Sequence, residues 1–406
     1  MTNQRDKQVI RELAKQYMEI AQSPVMKERE QAWRDVKDLK MSRPVVLAEV
    51  SYIQNFIRPE EMQCSQEIAW VEKQLRVAIR HSQIGDDVIL KPFWGTWPVI
   101  EKSNYGVDIE QIHSKSSDGS EIGYAFESPI KTPDDFSKLK ERTFNVNREA
   151  TQKEQDLFSD LFGDAMPVVA TGVNTHLISM TRDLFTMLGA ENFLVWLYEY
   201  TDEYRWLVDY MRKDRISYYK FLEEQNLLGY GNISSPVGSG SYGLVSDLKT
   251  DKNRFGLKDA WVWTESQESE GISPEHFAEF FLPALTDISK LFGLTYYGCC
   301  ERLDDRWDSI EKAIHNIRAV SISPWSNLEI MGEKLGKNYV FSRKPNPTYI
   351  SGANPEWDLL RQDLQNTVNA AKNCNFEIVF RDIYNESVTV ESLKKWTEMA
   401  RTVAEG

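Results

Sequence analysis

Hydrophobic and polar positions along the chain form blocks that predict α-helices and buried β-strands. The first 42 residues show a helical period with charged outer faces, which predicts two helices, at 5–22 and 26–39. The apolar run Val45–Val50 follows and is typical of a buried strand. We therefore interpret residues 1–42 as a helical extension that precedes the first core strand.

From about residue 167, short apolar runs alternate regularly with helical patterns. Such repeats predict a parallel sheet whose strands are connected by helices. Eight units would close a (β/α)8 TIM barrel, so the predicted fold class is α/β, with residues 43–406 as the barrel and an irregular insertion at about 95–150. The nine candidate strand centres are Val45, Val88, Val168, Ile233, Trp261, Thr295, Val320, Val340 and Ile378. A barrel needs eight, and we assign the Gly- and Ser-rich segment 232–245 to a loop.

Charge and cysteine content narrow the class of protein. The formal net charge is -14, and no basic stripe interrupts it, which argues against nucleic acid as a partner. The charged segment Met1–Glu19 lacks the apolar core of a signal peptide, and no apolar run approaches the ~18 residues of a membrane span. The four cysteines do not form a disulfide pattern. We therefore expect a cytoplasmic protein that acts on a small molecule.

Reactive side chains follow several predicted strands. Cys299 and Cys300 end the run that begins at Leu294, and Glu265 follows the strand at 260–264. Because α/β barrels keep their chemistry at the carboxyl ends of strands, these three residues are candidate metal ligands or nucleophiles. Further candidates are His176 and Asp382 as catalytic groups, and Trp94, Asn174, Tyr297, Arg343 and Lys344 as substrate-binding groups. Each has a structural alternative, such as a buried cysteine or a core tryptophan.

The segment Gly271–Pro283, GISPEHFAEFFLP, resembles the "isPe-F-eF-lP" element of the uroporphyrinogen decarboxylase-like superfamily. Further matches follow the same order along the chain, at Ser128–Ile130, Asp134–Phe136, Leu139, 166–228 and Tyr339–Pro347. The resemblance covers most of residues 44–400. It implies a (β/α)8 barrel with extra N-terminal helices and a site at the carboxyl ends of the strands, but it does not fix the reaction.

Departures from the superfamily's patterns argue against porphyrinogen decarboxylation. Uroporphyrinogen decarboxylases place arginines after the first strand to hold the carboxylates of their substrate. This chain has Glu49 there, which would repel such a substrate. The late histidine of those enzymes matches Arg381–Asp382 here.

The superfamily also includes zinc-dependent corrinoid methyltransferases, which use a His-x-Cys pair to hold zinc. The resemblance places Tyr297 on that histidine and Cys299 on that cysteine, so it implies one retained ligand and one replaced ligand. We expect Glu265 to complete a zinc site first, with Cys300 or Asp382 next. A mixed oxygen and sulfur set is reasonable for catalytic zinc.

The resemblance implies zinc-assisted methyl transfer between a small substrate, such as an aryl methyl ether, and a corrinoid protein. The corrinoid must come from a partner, because the chain has no Asp-x-His-x-x-Gly cobalamin motif. The resemblance also implies a homodimer. Two alternatives stay open: a metal-free lyase or decarboxylase of a small carboxylic acid that uses Arg343, Lys344 and His176, and a non-catalytic binding barrel.

Overall fold

The computed structural model describes residues 3–51, 53, 56–115, 121–250, 254–352, 354–384 and 387–405. The strands are β1 (Val45–Ala48), β2 (Trp94–Thr96), β3 (Ile100–Lys102), β4 (Glu110–Lys115), β5 (Glu121–Glu127), β6 (Phe144–Val146), β7 (Val168–Ala170), β8 (Pro236–Gly238), β9 (Ser241–Tyr242), β10 (Trp261–Thr264), β11 (Leu294–Tyr297), β12 (Ile317–Ile322), β13 (Val340–Arg343) and β14 (Asn375–Phe380). The α-helices are α1 (Gln4–Ala21), α2 (Pro24–Lys37), α3 (Ala69–His81), α4 (Arg148–Phe162), α5 (Met180–Glu199), α6 (Thr201–Glu224), α7 (Pro274–His276), α8 (Leu282–Ser289), α9 (Trp307–Ala313), α10 (Leu328–Leu335), α11 (Trp357–Ala370) and α12 (Val390–Glu405). Within these ranges, no helix combines the length and the apolar character that crossing a bilayer requires.

Six strands form one parallel sheet, in the spatial order β1, β14, β13, β12, β11, β10. The apolar runs predicted all six, with ends that differ by one or two residues. Helices α9, α10 and α11 each connect two consecutive strands of this sheet. The prediction of a parallel α/β fold is therefore confirmed.

The strand predicted around Val88 is wrong, because aspartate side chains do most of the pairing with β1 there. The backbone contributes one hydrogen bond, from the N–H of Asp87 to the carbonyl of Val46 at 2.8 Å. The backbone N–H of Val46 donates to Oδ2 of Asp87, and that of Ala48 donates to Oδ2 of Asp86, both at 2.9 Å. These carboxylates occupy the ladder positions beside β1. The chain becomes a strand only at β2, which pairs with β7 in a separate two-stranded parallel sheet.

At its other edge the six-stranded sheet has an isolated parallel bridge between Leu177 and Trp263. There the backbone N–H of Trp263 donates to the carbonyl of His176 at 2.8 Å. The sheet therefore has partial pairing at both edges. A closed eight-stranded barrel stays a prediction.

The predicted insertion contains two antiparallel pairs, β3 with β6 and β4 with β5. An ion pair between Arg142 and Asp214 ties it to α6, with 2.5 Å between Nη2 and Oδ2. The division of the chain into a helical extension and a barrel is not tested by these contacts and stays a prediction.

The sheet separates two apolar clusters, because successive side chains of a strand point to opposite faces. The hairpin face is the side covered by α2 and the hairpin β8–β9, and it carries Val45, Leu47, Tyr296, Val340 and Val379. The helix face is the opposite side, covered by helices such as α8, α10 and α12, and it carries Val46, Ala48, Tyr297, Phe341 and Ile378. Strand alternation therefore decides which strand-end residues can meet.

The hairpin β8–β9 packs directly on the hairpin face. A Cβ at Gly238 would lie only 2.1 Å from Cδ1 of Tyr296, so glycine is required for this approach. Lys37 of α2 is fully buried beside it, donates to Oγ of Ser241 at 2.6 Å and pairs with Glu377 of β14. The assignment of 232–245 to a loop is corrected, since this close approach creates a hairpin that composition alone does not indicate.

Candidate active site at the carboxyl edge of the sheet

Cys299 and Cys300 follow β11 after a sharp turn at Gly298. Gly298 has φ +92, a left-handed conformation that favours glycine. Its N–H donates to the carbonyl of Thr264 at 2.7 Å, and its carbonyl accepts from Nε1 of Trp263 at 2.9 Å. The turn brings the two Sγ atoms to 3.7 Å from each other, and both thiols are free.

The two thiols differ in environment and in protonation. Cys300 is exposed, whereas Cys299 is partly buried. A hydrogen bond from Cys299 lowers the pKa of Cys300, and Arg381 lowers it further, against the effect of burial. The same hydrogen bond, together with burial, raises the pKa of Cys299. These opposite shifts favour Cys300 as the nucleophile of the pair.

Two buried carboxyl groups lie beside the thiols. Glu265 and Glu301 are each 2% exposed. Glu301 accepts from the backbone N–H of Ser266 at 3.0 Å and of Cys299 at 2.9 Å. Burial raises the pKa of Glu265 well above its ordinary value, and the charges of Glu268 and Glu301 add to this effect. Burial also raises the pKa of Glu301. The environment therefore favours the neutral, proton-donating form of Glu265.

Two cations face the thiols from the hairpin face. Lys344 continues the alternation of β13, and its Nζ donates to Oγ of Ser342 at 2.6 Å. Burial lowers the pKa of Lys344 to about 7. Arg381 continues β14, and its Nη1 donates to Oγ of Ser239 in the hairpin turn at 2.9 Å. Nε of Arg381 lies 3.4 Å from Oε2 of Glu49, and this carboxylate raises the pKa of Arg381 against the effect of burial. Both cations also interact electrostatically with Cys299.

Asp382 completes this edge. It has φ +61, and its Oδ1 lies 3.5 Å from Nε of Arg381. Its charge raises the pKa of Cys300. Five of the predicted site residues are thus brought together at the carboxyl edge: Glu265, Cys299, Cys300, Lys344 and Asp382.

His176 does not fit its predicted catalytic role. Its ring is 2% exposed and packs on the helix-face cluster, with ring centroids 5.2 Å from Phe292 and 5.9 Å from Tyr219. Neither ring nitrogen has a hydrogen-bond partner within the described part of the chain. The backbone of Val173 raises the pKa of the ring, but this effect is smaller than that of burial. Burial lowers the pKa of His176 to about 4. We therefore treat it as a core residue.

Tyr297 and Arg343 also lie on the helix face, which does not fit their predicted contact with substrate. Tyr297 is 1% exposed within the helix-face cluster. Arg343 is 2% exposed, and its Nη2 pairs with Oδ1 of Asp363 in α11 at 2.5 Å. Its Nε donates to Oγ1 of Thr367 at 3.1 Å, and its Nη1 donates to carbonyls that include that of Ser323 at 2.9 Å. Arg343 joins strands to a helix.

Trp94 and Asn174, predicted to bind substrate, line a cleft of their own. Both border a cleft of about 810 Å³ that also includes Lys91, Phe93 and Trp97. The thiols are not among the residues that line this cleft.

Part of the carboxyl edge fits the predicted zinc. With Zn–S bonds of about 2.3 Å in a tetrahedral site, two thiolates are separated by about 3.8 Å, close to the 3.7 Å between Cys299 and Cys300. A complete set is lacking in the described ranges, where no group of three or more His, Cys, Asp or Glu side chains is arranged to hold a metal ion. The thiol pair thus has the separation that zinc requires, but the described residues place no third ligand beside it.

Sequence reasoning did not assign roles to Glu301 and Arg381, two central members of this edge. Both could have been found from position alone. Glu301 directly follows the cysteines, and Arg381 lies two residues after Val379, on the same face of β14.

Comparisons with known proteins add little to this geometry. Neither a scan against protein-family models nor a search of curated proteins returned a match. Among solved structures, the chain is similar to a methyltransferase from Methanosarcina mazei, with 12% sequence identity and a TM-score of 0.49 over 93% of this chain and 98% of that chain. A likeness at this level is too weak to carry an argument about activity.

Proposed function

We propose that the chain is a methyltransferase whose reaction takes place at the carboxyl edge, beside the Cys299–Cys300 pair. The proposal rests on the two sulfurs, 3.7 Å apart, and on the buried carboxyl of Glu265, which interacts electrostatically with Cys300. The resemblance to the uroporphyrinogen decarboxylase-like superfamily agrees with it. A closed (β/α)8 barrel, zinc on the thiols and a corrinoid protein as partner remain part of this proposal.

Breaking a methyl–oxygen bond leaves negative charge on the oxygen, and Glu265 is suited to neutralise it. A carboxyl group kept neutral by burial and by neighbouring acids can donate its proton to the leaving oxygen. In the proposed step an R–O–CH₃ substrate loses its methyl group to an external nucleophile. The electron pair of the broken bond stays on oxygen, and the proton of Glu265 converts R–O⁻ to R–OH.

The two cationic side chains of the carboxyl edge have a different proposed role from that of Glu265. Lys344 and Arg381 would hold an anionic substituent of the substrate and so orient its methyl group toward the open edge. A cob(I)alamin group carried by a partner protein would supply the nucleophile. The exposure of Cys300 is consistent with a site that a second macromolecule can reach.

The test is methyl transfer from an aryl methyl ether, such as a methoxybenzoate, to free cob(I)alamin, followed by the absorbance of methylcobalamin. We expect turnover by the native chain and a rate lower by about 100-fold or more for Glu265→Gln, the loss typical of a missing general acid. Glu329→Gln serves as the matched control, because it makes the same change at an exposed glutamate of α10. An unchanged rate in Glu265→Gln, or no methylcobalamin with the aryl methyl ethers, would refute the proposal.

A metal-free carboxy-lyase is the second candidate, because two cationic side chains, Lys344 and Arg381, lie together at the carboxyl edge. An amine whose pKa is lowered to about 7 by burial can exchange a proton near neutral pH. This candidate predicts carbon dioxide release that survives a chelator and is lost in Lys344→Met. Methyl transfer without carbon dioxide release would exclude it.

A further inference from the structure

We propose that the cleft lined by Trp94 and Asn174 is a binding site for a small aromatic carboxylate. Its volume of about 810 Å³ is within the range typical of small-molecule sites. It lies between α1, α3 and α4 on one side and the segments around β2 and β7 on the other. The inference does not depend on methyl transfer, because the cleft and the thiol edge have no lining residue in common.

Aromatic rings form the walls of the cleft. Trp70 and Trp97 are 46% and 57% exposed, although large apolar side chains are usually buried, and both line this one cavity. Trp94 is held by packing, with ring centroids 6.0 Å from Trp70 and 5.4 Å from Phe158. Such a fixed wall with exposed rings beside it can stack on a flat aromatic ligand.

A cation without a counter-ion lies in the same cleft. Lys91 is partly buried, and its ammonium donates to Oγ of Ser235. Among the residues that the structure describes, no carboxylate pairs with Lys91, and burial alone lowers its pKa to about 8. A desolvated ammonium is stabilised by an anion, and a carboxylate forms the strongest hydrogen bond with it.

The remaining polar lining supports an anion and sets the balance of charge. Lys102 lies at the rim, with Nζ 3.9 Å from the ring centroid of Tyr218. Glu154 is the acidic residue of the lining, so two cations face one carboxylate. Asn174 is 7% exposed, and its amide can donate to a bound carboxylate.

The test compares benzoate with benzamide by isothermal titration calorimetry near pH 7, on the native chain and on variants. Benzoate is expected to bind, and benzamide to bind about tenfold more weakly or worse, because an amide does not neutralise Lys91. Lys91→Met should weaken benzoate by a similar factor and leave benzamide unchanged. The control Lys73→Met removes an exposed lysine of α3 that does not line the cleft.

Equal affinity of the native chain for benzoate and benzamide would overturn the proposal, and so would unchanged benzoate binding in a folded Lys91→Met. The comparison of the two ligands on the native chain needs no variant, so a variant that fails to fold leaves the test intact. Loss of benzoate binding in Lys91→Met separates this site from the methyl-transfer site, because Lys91 lines the cleft and is not part of the carboxyl edge.

Discussion

Replacing His176 by phenylalanine should make the free energy of unfolding less sensitive to acid. The ring is buried and its pKa is lowered to about 4, whereas a histidine in the unfolded chain has a pKa of about 6.5. Below pH ~6.5 the unfolded state binds a proton that the folded state does not, so the folded state loses stability as the pH falls toward 4. Between pH 7 and pH 5 the loss from this one group is about 2 kcal/mol, at about 1.4 kcal/mol for each pKa unit.

The measurement is urea-induced unfolding at pH 7 and at pH 5 for the native chain, His176→Phe and His315→Gln, which alters an exposed histidine. Other titrating groups contribute equally to all three, so the difference isolates His176. We expect the native chain and His315→Gln to lose about 2 kcal/mol more than His176→Phe. An equal loss in all three would show that the ring is not buried in its neutral form. Abolished methyl transfer in a folded His176→Phe would restore the catalytic assignment that we set aside.

Three further predictions test other residues. Arg343→Leu should lower the free energy of unfolding by about 3–5 kcal/mol, because it leaves Asp363 and several carbonyls unpaired. The control Arg361→Leu alters an exposed arginine and should change this free energy by less than about 0.5 kcal/mol. Equal melting curves for the two variants would contradict this prediction. Iodoacetamide at pH 7 should label Cys300 before Cys299, as measured by peptide mass mapping. Cys299→Ala should slow the labelling of Cys300, because it removes the hydrogen bond that lowers the pKa of Cys300. Equal labelling of the two cysteines would count against Cys300 as the more reactive thiol. Elemental analysis should find about one zinc per chain, lost in Cys299→Ala, and a zinc content that the substitution does not alter would refute the predicted ligand.

The strands of the six-stranded sheet were predictable because each is a short apolar run between helical patterns. The prediction of a strand around Val88 was wrong for a local reason. Asp86 and Asp87 accept hydrogen bonds from β1 with their side chains, and a hydrophobicity pattern does not distinguish this from backbone pairing. The hairpin β8–β9 was missed for a related reason, since its position depends on one close approach to Tyr296.

The candidate site was predictable as a location but not as a set of side chains. Position after a strand correctly placed Glu265, Cys299 and Lys344 at one edge. The faces of strand ends follow from alternation, which by itself assigns Lys344 and its neighbour Arg343 to opposite sides of the sheet. The location of Trp94 in an aromatic cleft that excludes the thiols depends on tertiary packing of the N-terminal helices, which local sequence does not encode.

The turn at the tip of the hairpin fixes one charged side chain of the carboxyl edge. Nη1 of Arg381 donates to Oγ of Ser239 at 2.9 Å, and Ser239 lies 142 residues earlier in the chain. The neighbouring Gly240 has φ +80, and a Cβ there would lie 2.8 Å from Cγ1 of Val379. A larger side chain at Gly240 would therefore have to displace the turn or β14. The orientation of the guanidinium of Arg381 thus depends on a glycine that carries no chemistry of its own.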